Sequence, residues 1–160
     1  MTKKHDKALY KAIYDGDLAA ARQALADGAN PDGTSEDGFP FLWVAARGVR
    51  MVKLLLKYGA NPNVMTRGHG GQTPLGWAIE GRARKVIDVL LAAGANPNLY
   101  KRLQNPPLAD AVRTNDARIV KTLVAAGARD LPCVNGQRGR DFATPAIVKL
   151  LPNRKTKRKK

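Results

Sequence analysis

The sequence predicts an all-α solenoid of about five helix-pair units with degenerate terminal caps. Two observations carry this prediction. First, Gly28-Ala29-Asn30-Pro31-Asp32 is nearly rewritten as Gly59-Ala60-Asn61-Pro62-Asn63 and Gly94-Ala95-Asn96-Pro97-Asn98, and again in decayed form at Gly127-Ala128-Arg129-Asp130. Second, the glycines of these copies are 31, 35 and 33 residues apart. A fixed period of this size is the signature of stacked supersecondary units, none of which buries its apolar face alone. The units fall at about 5–33, 34–66, 67–99, 100–132 and 133–152, followed by a basic tail at 153–160.

Unit one reads as a helix pair. Ala8-Leu9-Tyr10-Lys11-Ala12-Ile13 and Leu18-Ala19-Ala20-Ala21-Arg22-Gln23-Ala24-Leu25 are joined by Asp15-Gly16-Asp17, whose carboxylates suit a turn and a helix cap. The pair lacks the opening motif of the later units, as a terminal unit should. Unit two runs Asp37-Gly38-Phe39-Pro40-Phe41-Leu42-Trp43-Val44-Ala45-Ala46 and then Met51-Val52-Lys53-Leu54-Leu55-Leu56. A shorter connection between its helices accounts for the spacing of 31.

Unit three is the clearest. It opens with Gly71-Gln72-Thr73-Pro74-Leu75-Gly76-Trp77-Ala78-Ile79. Thr73 is placed to accept a hydrogen bond from the first free amides of a helix. Pro74 then takes the first helical position, where its missing N–H is no loss. Ala78 is small enough for neighbouring helices to approach. In the second helix, Val86, Val89, Leu90 and Ala93 recur at three- and four-residue steps. Gly94 ends that helix in the left-handed conformation that a β-carbon disfavours, and Asn96-Pro97-Asn98 turns the chain out into a finger loop. Except for Gly76 at the histidine position, the opening resembles the Thr-Pro-Leu-His-x-Ala signature of ankyrin repeats. With the period, the glycine caps and the helix pattern, the resemblance covers about residues 5–152.

Unit four continues with Asn105-Pro106-Pro107-Leu108-Ala109-Asp110-Ala111-Val112 and Ile119-Val120-Lys121-Thr122-Leu123-Val124. Pro106 replaces the capping threonine, so Asn105 is expected to cap one residue early. In unit five, Thr144-Pro145-Ala146-Ile147-Val148-Lys149-Leu150-Leu151 reads as the second helix of a shortened repeat stopped by Pro152. Residues 153–160 are expected to be disordered.

The ankyrin resemblance implies a concave binding surface built from first helices and finger loops. On that mapping the candidate partner-binding residues are Trp43, Arg47, Met65, Arg67, His69, Trp77, Glu80, Tyr100, Lys101, Arg102, Arg113 and Arg138. Trp43 stands at the family's histidine position and Trp77 one place beyond it. Arg47, Glu80 and Arg113 follow the Ala-Ala position that the family varies for contacts. Tryptophan and arginine are the usual anchors of interfaces. Met65, Arg67 and His69 belong to the longest finger, with Met65 expected as an exposed apolar tip. Tyr100, Lys101 and Arg102 belong to the next finger, and Arg129, Arg138 and Arg140 to the one after.

The net charge of +15 is uneven. Residues 1–46 carry a net of −2, residues 47–152 a net of +11, and the last eight residues six further positive charges. Such a field favours acidic partners. The expected partner is an acidic protein, held by occupancy of the basic-aromatic face in the manner of an inhibitor or immunity protein; small solitary proteins of this resemblance suit that role. The alternative is a nucleic-acid-associated or nuclear adaptor using Arg154, Lys155, Lys157, Arg158, Lys159 and Lys160.

Chemistry finds little support. The two histidines, His5 and His69, have no metal-ligand spacing, and Cys133 has no histidine near it in repeat order. Gly68-His69-Gly70-Gly71 lacks the Lys-Ser/Thr ending of a phosphate loop. No enzyme activity, catalytic residue, cofactor or metal is expected. A charged N-terminus, one cysteine and no long apolar run point to a monomer of the cytoplasm, or of the nucleus in a eukaryotic host, without a membrane span.

Overall fold

The computed structural model describes residues 2–67, 70–101 and 104–152. Helices pair along the chain. Unit one holds α1 (Thr2–Asp15) and α2 (Leu18–Ala26). Unit two holds α3 (Phe41–Ala45) and α4 (Val49–Lys57), and unit three α5 (Pro74–Glu80) and α6 (Arg84–Ala92). Unit four holds α7 (Pro107–Arg113) and α8 (Ala117–Ala125). The last unit is reduced to one 3₁₀ turn, Gly139–Phe142, and α9 (Pro145–Val148). The β-structure among the described residues is limited to two single bridges, Thr34 with Pro40 and Pro132 with Arg138, at the bases of fingers.

The helices stack in two rows. The first helices run α1, α3, α5, α7 and then the 3₁₀ turn, each against the next; the second helices run α2, α4, α6, α8, α9. One continuous core lies between the rows. Leu9, Phe41, Leu42, Val52, Leu55, Leu75, Ile79, Ile87, Leu90, Leu108, Ile119 and Leu123 are fully buried in it. Each such side chain contributes about 1.5–3 kcal/mol by leaving water. Ala45, Ala78 and Ala111 occupy the same place in three successive first helices and are all buried, which lets those helices pack closely. Ile147 and Leu151 close the far end.

The helix starts show which local signals act. Thr73 Oγ1 accepts from the Gly76 amide at 3.0 Å, with Pro74 in the first turn. Asp17 caps α2 through the amides of Ala19 and Ala20 at 2.9 and 3.0 Å. The cap expected of Asn105 does not form. Pro106 holds the N-cap position without a side-chain bond, and Asn105 Nδ2 instead donates to Asp110 Oδ1 at 3.1 Å. A cap would need Asn105 Oδ1 to accept from the first helical amides, but Pro106 holds the cap position and Pro107, in the first turn, has no N–H to offer. Asp116 caps α8 through the Arg118 and Ile119 amides. Its burial raises its pKa, but the hydrogen bond and charge of Arg84 and these amides outweigh burial and hold the carboxyl below its ordinary range.

The finger loops carry a ladder of side-chain bonds from unit to unit. The amides of Asn61, Asn96 and Arg129 donate to Asp32, Asn63 and Asn98 of the preceding unit at 2.7–2.8 Å, while within unit one the Asn30 amide donates to Asp6 of α1 at 2.8 Å. Asn63 and Asn98 also reach forward, each donating from Nδ2 to the carbonyl of the next unit's cap glycine, Gly94 and Gly127, at 3.0 Å. The repeated asparagines thus tie each finger to its successor.

Candidate functional site

The first-helix row brings two tryptophans from different units into contact. Trp43 on α3 and Trp77 on α5 stack with centroids 4.6 Å apart and planes 25° from parallel. Phe39 stacks on Trp43 at 4.8 Å and 18°. The Arg47 guanidinium lies over the Trp77 ring, 5.0 Å from its centroid, a cation–π geometry. Both indoles are half-buried and Arg47 is exposed, so the stack is anchored at one side and open at the other.

A residue that the sequence reading passed over locks this cluster. Gln72 Oε1 accepts from Trp43 Nε1 at 3.3 Å, and Gln72 Nε2 donates to Glu80 Oε1 at 2.7 Å. Gln72 sits just before the Thr-Pro opening, where the long finger returns to the helix row. Its backbone pairs with Thr66, whose amide donates to the Gln72 carbonyl at 3.1 Å while Thr66 Oγ1 accepts the Gln72 amide at 3.0 Å. Glutamine at this place carries no sequence signal of its own; its position between two repeats gives it the role.

Two hollows flank the stack. One of about 510 Å³ is lined by Arg47, Trp77 and Glu80 with Ala46, Gly81 and Ala83. The other, about 770 Å³, is lined mainly by apolar groups, among them Ile13, Tyr14, Trp43, Val49, Met51 and Trp77. Tyr14 is 77% exposed beside it. Farther along the row, about 600 Å³ opens between α7 and the last finger, with Arg113, Asn115, Cys133 and Phe142 in its wall.

Of the sequence candidates, Trp43, Arg47, Trp77 and Glu80 therefore form one cluster, and Arg113 stands exposed in the next hollow. Arg67 and Lys101 are exposed on fingers and Tyr100 is half-buried. The Lys101 stem crosses Gly71 so closely that an added β-carbon there would lie 2.2 Å from its Cδ. Met65 is half-buried rather than an exposed tip, because the finger folds back at the Thr66–Gln72 pair. Arg138 and Arg140 are half-buried and turned inward. The Arg138 guanidinium donates to the Asp130 carbonyl. Arg140 pairs with the Asp130 carboxylate and donates to the Pro152 carbonyl at 2.7 Å. These arginines hold the shortened last unit together instead of facing a groove. His69, Arg102, Arg154, Lys155, Lys157, Arg158, Lys159 and Lys160 lie outside the described residues.

Reactive groups are subdued. Burial, then the charge of Asp110, raises the Cys133 thiol pKa, which keeps it protonated and a poor nucleophile. Burial raises Asp110 itself to about 6, reinforced by Glu80 and opposed by Asn105 and Arg113. Among the described residues, no cluster of histidine, cysteine or carboxylate side chains is placed to hold a metal ion, and no helix is long and apolar enough to cross a membrane.

Comparison with known proteins places this cluster inside the matched segments. The ankyrin-repeat family profile matches residues 37–67 and 70–102. An ankyrin repeat protein of Pyrobaculum aerophilum is 37% identical over 82 residues, which is 51% of this chain and 30% of that protein. One of Fowlpox virus is 35% identical over 69 residues, 42% of this chain and 9% of that protein. The chain thus spans less than a third of the length of either relative.

Proposed function

We propose that this chain, whose residues 37–67 and 70–102 match the ankyrin-repeat family, a protein–protein interaction module, acts by occupancy, inhibiting or neutralising an acidic protein held on the first-helix face. The observation that carries this reading is the Trp43–Trp77 stack capped by Arg47. Stacked indoles offer a wide, rigid apolar platform with little side-chain entropy left to lose on binding. The guanidinium at its rim supplies charge complementary to a carboxylate. Gln72 and Glu80 fix the ring orientation in advance through their hydrogen bonds, and such preorganisation raises affinity by lowering the cost of ordering.

Among the described residues the face offers contact area and charge, which suit an effect exerted by covering a partner's surface. The partner is sought by affinity capture from native lysate, identification by mass spectrometry and reconstitution of the complex. The expected result is a stoichiometric complex with an acidic protein whose affinity falls at least tenfold, about 1.4 kcal/mol, in Trp43→Ala, Trp77→Ala and Arg47→Ala. Parental affinity in all three variants would sink this reading. Loss of the partner's own activity on complex formation separates inhibition from scaffolding.

A further inference from the structure

The turn edge of units two to four, where each first helix passes to its second, gathers cations. Arg47, Arg82, Arg84 and Lys85 line one hollow of about 400 Å³ together with Val49, Ala83, Val86 and Asp116. Arg50 lies on the adjoining wall with Gly48, and Arg118 follows at the start of α8. All six cations are exposed. The acid of that hollow, Asp116, is buried and already bound to Arg84 at 2.8 Å. Among the described residues, Arg47, Arg50, Arg82, Lys85 and Arg118 enter no ion pair. In unit one the same edge is acidic, with Asp15 and Asp17.

Backbone geometry adds that this charge is held at a cost. Arg82 has φ of +52°, in the left-handed region. Its counterparts are Gly16 (φ +73°) and Asn115 (φ +53°), and each of the three amides donates to the carbonyl three residues back. Glycine and asparagine suit this conformation; arginine does not. The chain therefore keeps a guanidinium where the fold alone favours a different residue.

We propose that this edge binds the phosphate backbone of a nucleic-acid strand, without reading its bases. Positive groups recur from unit two to unit four along the stacking direction, which suits an extended polyanion. Guanidinium forks match phosphate oxygens in pairs. A protein interface needs an apolar centre depleted in charge, whereas Arg47, Arg82, Arg84 and Lys85 surround this hollow with only Val49, Ala83 and Val86 as apolar groups in its wall; the apolar hollow that meets it at Arg50 belongs to the tryptophan cluster. The surface lies beside the tryptophan cluster, shares Arg47 with it and the Gly48, Val49 and Arg50 wall with its apolar hollow, and does not rest on the protein-binding reading.

The test is fluorescence anisotropy of the full chain with a labelled single-stranded oligothymidylate of 20 nucleotides, titrated at several salt concentrations. Arg50→Gln/Arg82→Asn/Lys85→Gln is expected to weaken binding by roughly tenfold or more at low salt and to lower the slope of log K against log salt by about 2, at about 0.7 per phosphate contact. Arg82→Asn alone should melt no lower than the parent while still binding more weakly, so that lost affinity is not lost folding. Arg50→Gln/Lys85→Gln, both at exposed positions, provides a second route to the same loss. A full-length variant with Lys155, Lys157, Lys159 and Lys160 changed to glutamine should retain the edge's share of the slope. The proposal is overturned if the triple variant binds with the parent's affinity and slope, or if the tail variant alone abolishes binding. It is equally overturned if polyglutamate of matched charge displaces the oligonucleotide as well as unlabelled oligothymidylate does, since the site would then belong to acidic polypeptides.

Discussion

Asn63 and Asp32 occupy equivalent places in successive fingers, yet they do unequal work, and the difference is measurable. Asp32 Oδ1 accepts the Asn61 amide at 2.7 Å and has no proton to donate. Asn63 Oδ1 accepts the Asn96 amide at 2.7 Å, and its Nδ2 also donates to the Gly94 carbonyl at 3.0 Å. A net intramolecular hydrogen bond contributes about 1 kcal/mol. Asn63→Ala removes two inter-unit bonds and should cost about 2 kcal/mol; Asp32→Ala removes one and should cost about 1 kcal/mol. Asn63→Asp keeps the acceptor and loses the donor, so it should fall between the parent and Asn63→Ala. At this chain length, each kcal/mol lowers the melting temperature by about 2–4 °C. Equilibrium urea unfolding gives the comparison directly, as a midpoint shift at constant slope. Hydrogen exchange localises it: the Asn96 amide should lose protection in Asn63→Ala while the Asn61 amide keeps it. Equal costs for the two alanine variants, or an Asn63→Ala midpoint indistinguishable from the parent, would refute the ladder as a source of coupling between units.

Three further outcomes are expected. Asp110→Asn should stabilise the protein at neutral pH by about 1–2 kcal/mol, after discounting for partial solvent exposure. The sign follows from its pKa, raised to about 6 in the fold from 3.8: the penalty is absent below about pH 4, grows as pH rises to 6 and is complete above it, so parent and variant should unfold alike at pH 3.5. Asp116→Ala should lower stability by about 1–2 kcal/mol at pH 7 through loss of the α8 cap. Because its folded pKa is depressed, that difference should persist at pH 5 and shrink only under stronger acid, as urea midpoints across pH will show. Finally, the 4.6 Å indole contact should give a coupled Trp–Trp band in circular dichroism that disappears in both Trp43→Phe and Trp77→Phe. Survival of the band in either variant would contradict the stack.

The last unit shows how far the sequence alone reaches. Pro145 and the apolar Ile147, Leu150 and Leu151 mark a final helix, and the structure has α9 there, but it stops at Val148 and leaves Leu150 and Leu151 in a turn, short of the end expected at Pro152. Nothing in the spacing says that Gly139–Phe142 takes the first-helix place as a 3₁₀ turn, or that Arg138 and Arg140 turn inward to Asp130. Their partners are eight and ten residues away in the chain, and which arginine faces water depends on where the shortened unit docks. Asn105 illustrates the same limit locally, since Pro106 takes the cap position and the Asn105 amide turns to Asp110.

Period, glycine caps, the Thr73-Pro74 start and the three- and four-residue apolar steps are properties of neighbouring residues, and they determine the helix pairs and their order. Local rules suffice there because each unit repeats the same short-range geometry. Contacts between units answer to stacking. The meeting of Trp43 with Trp77, the bridging by Gln72 from 29 residues away and the gathering of Arg47, Arg82, Arg84 and Lys85 around one hollow all require the offset between adjacent repeats. That offset is set by how buried side chains interdigitate, which only the packed molecule decides.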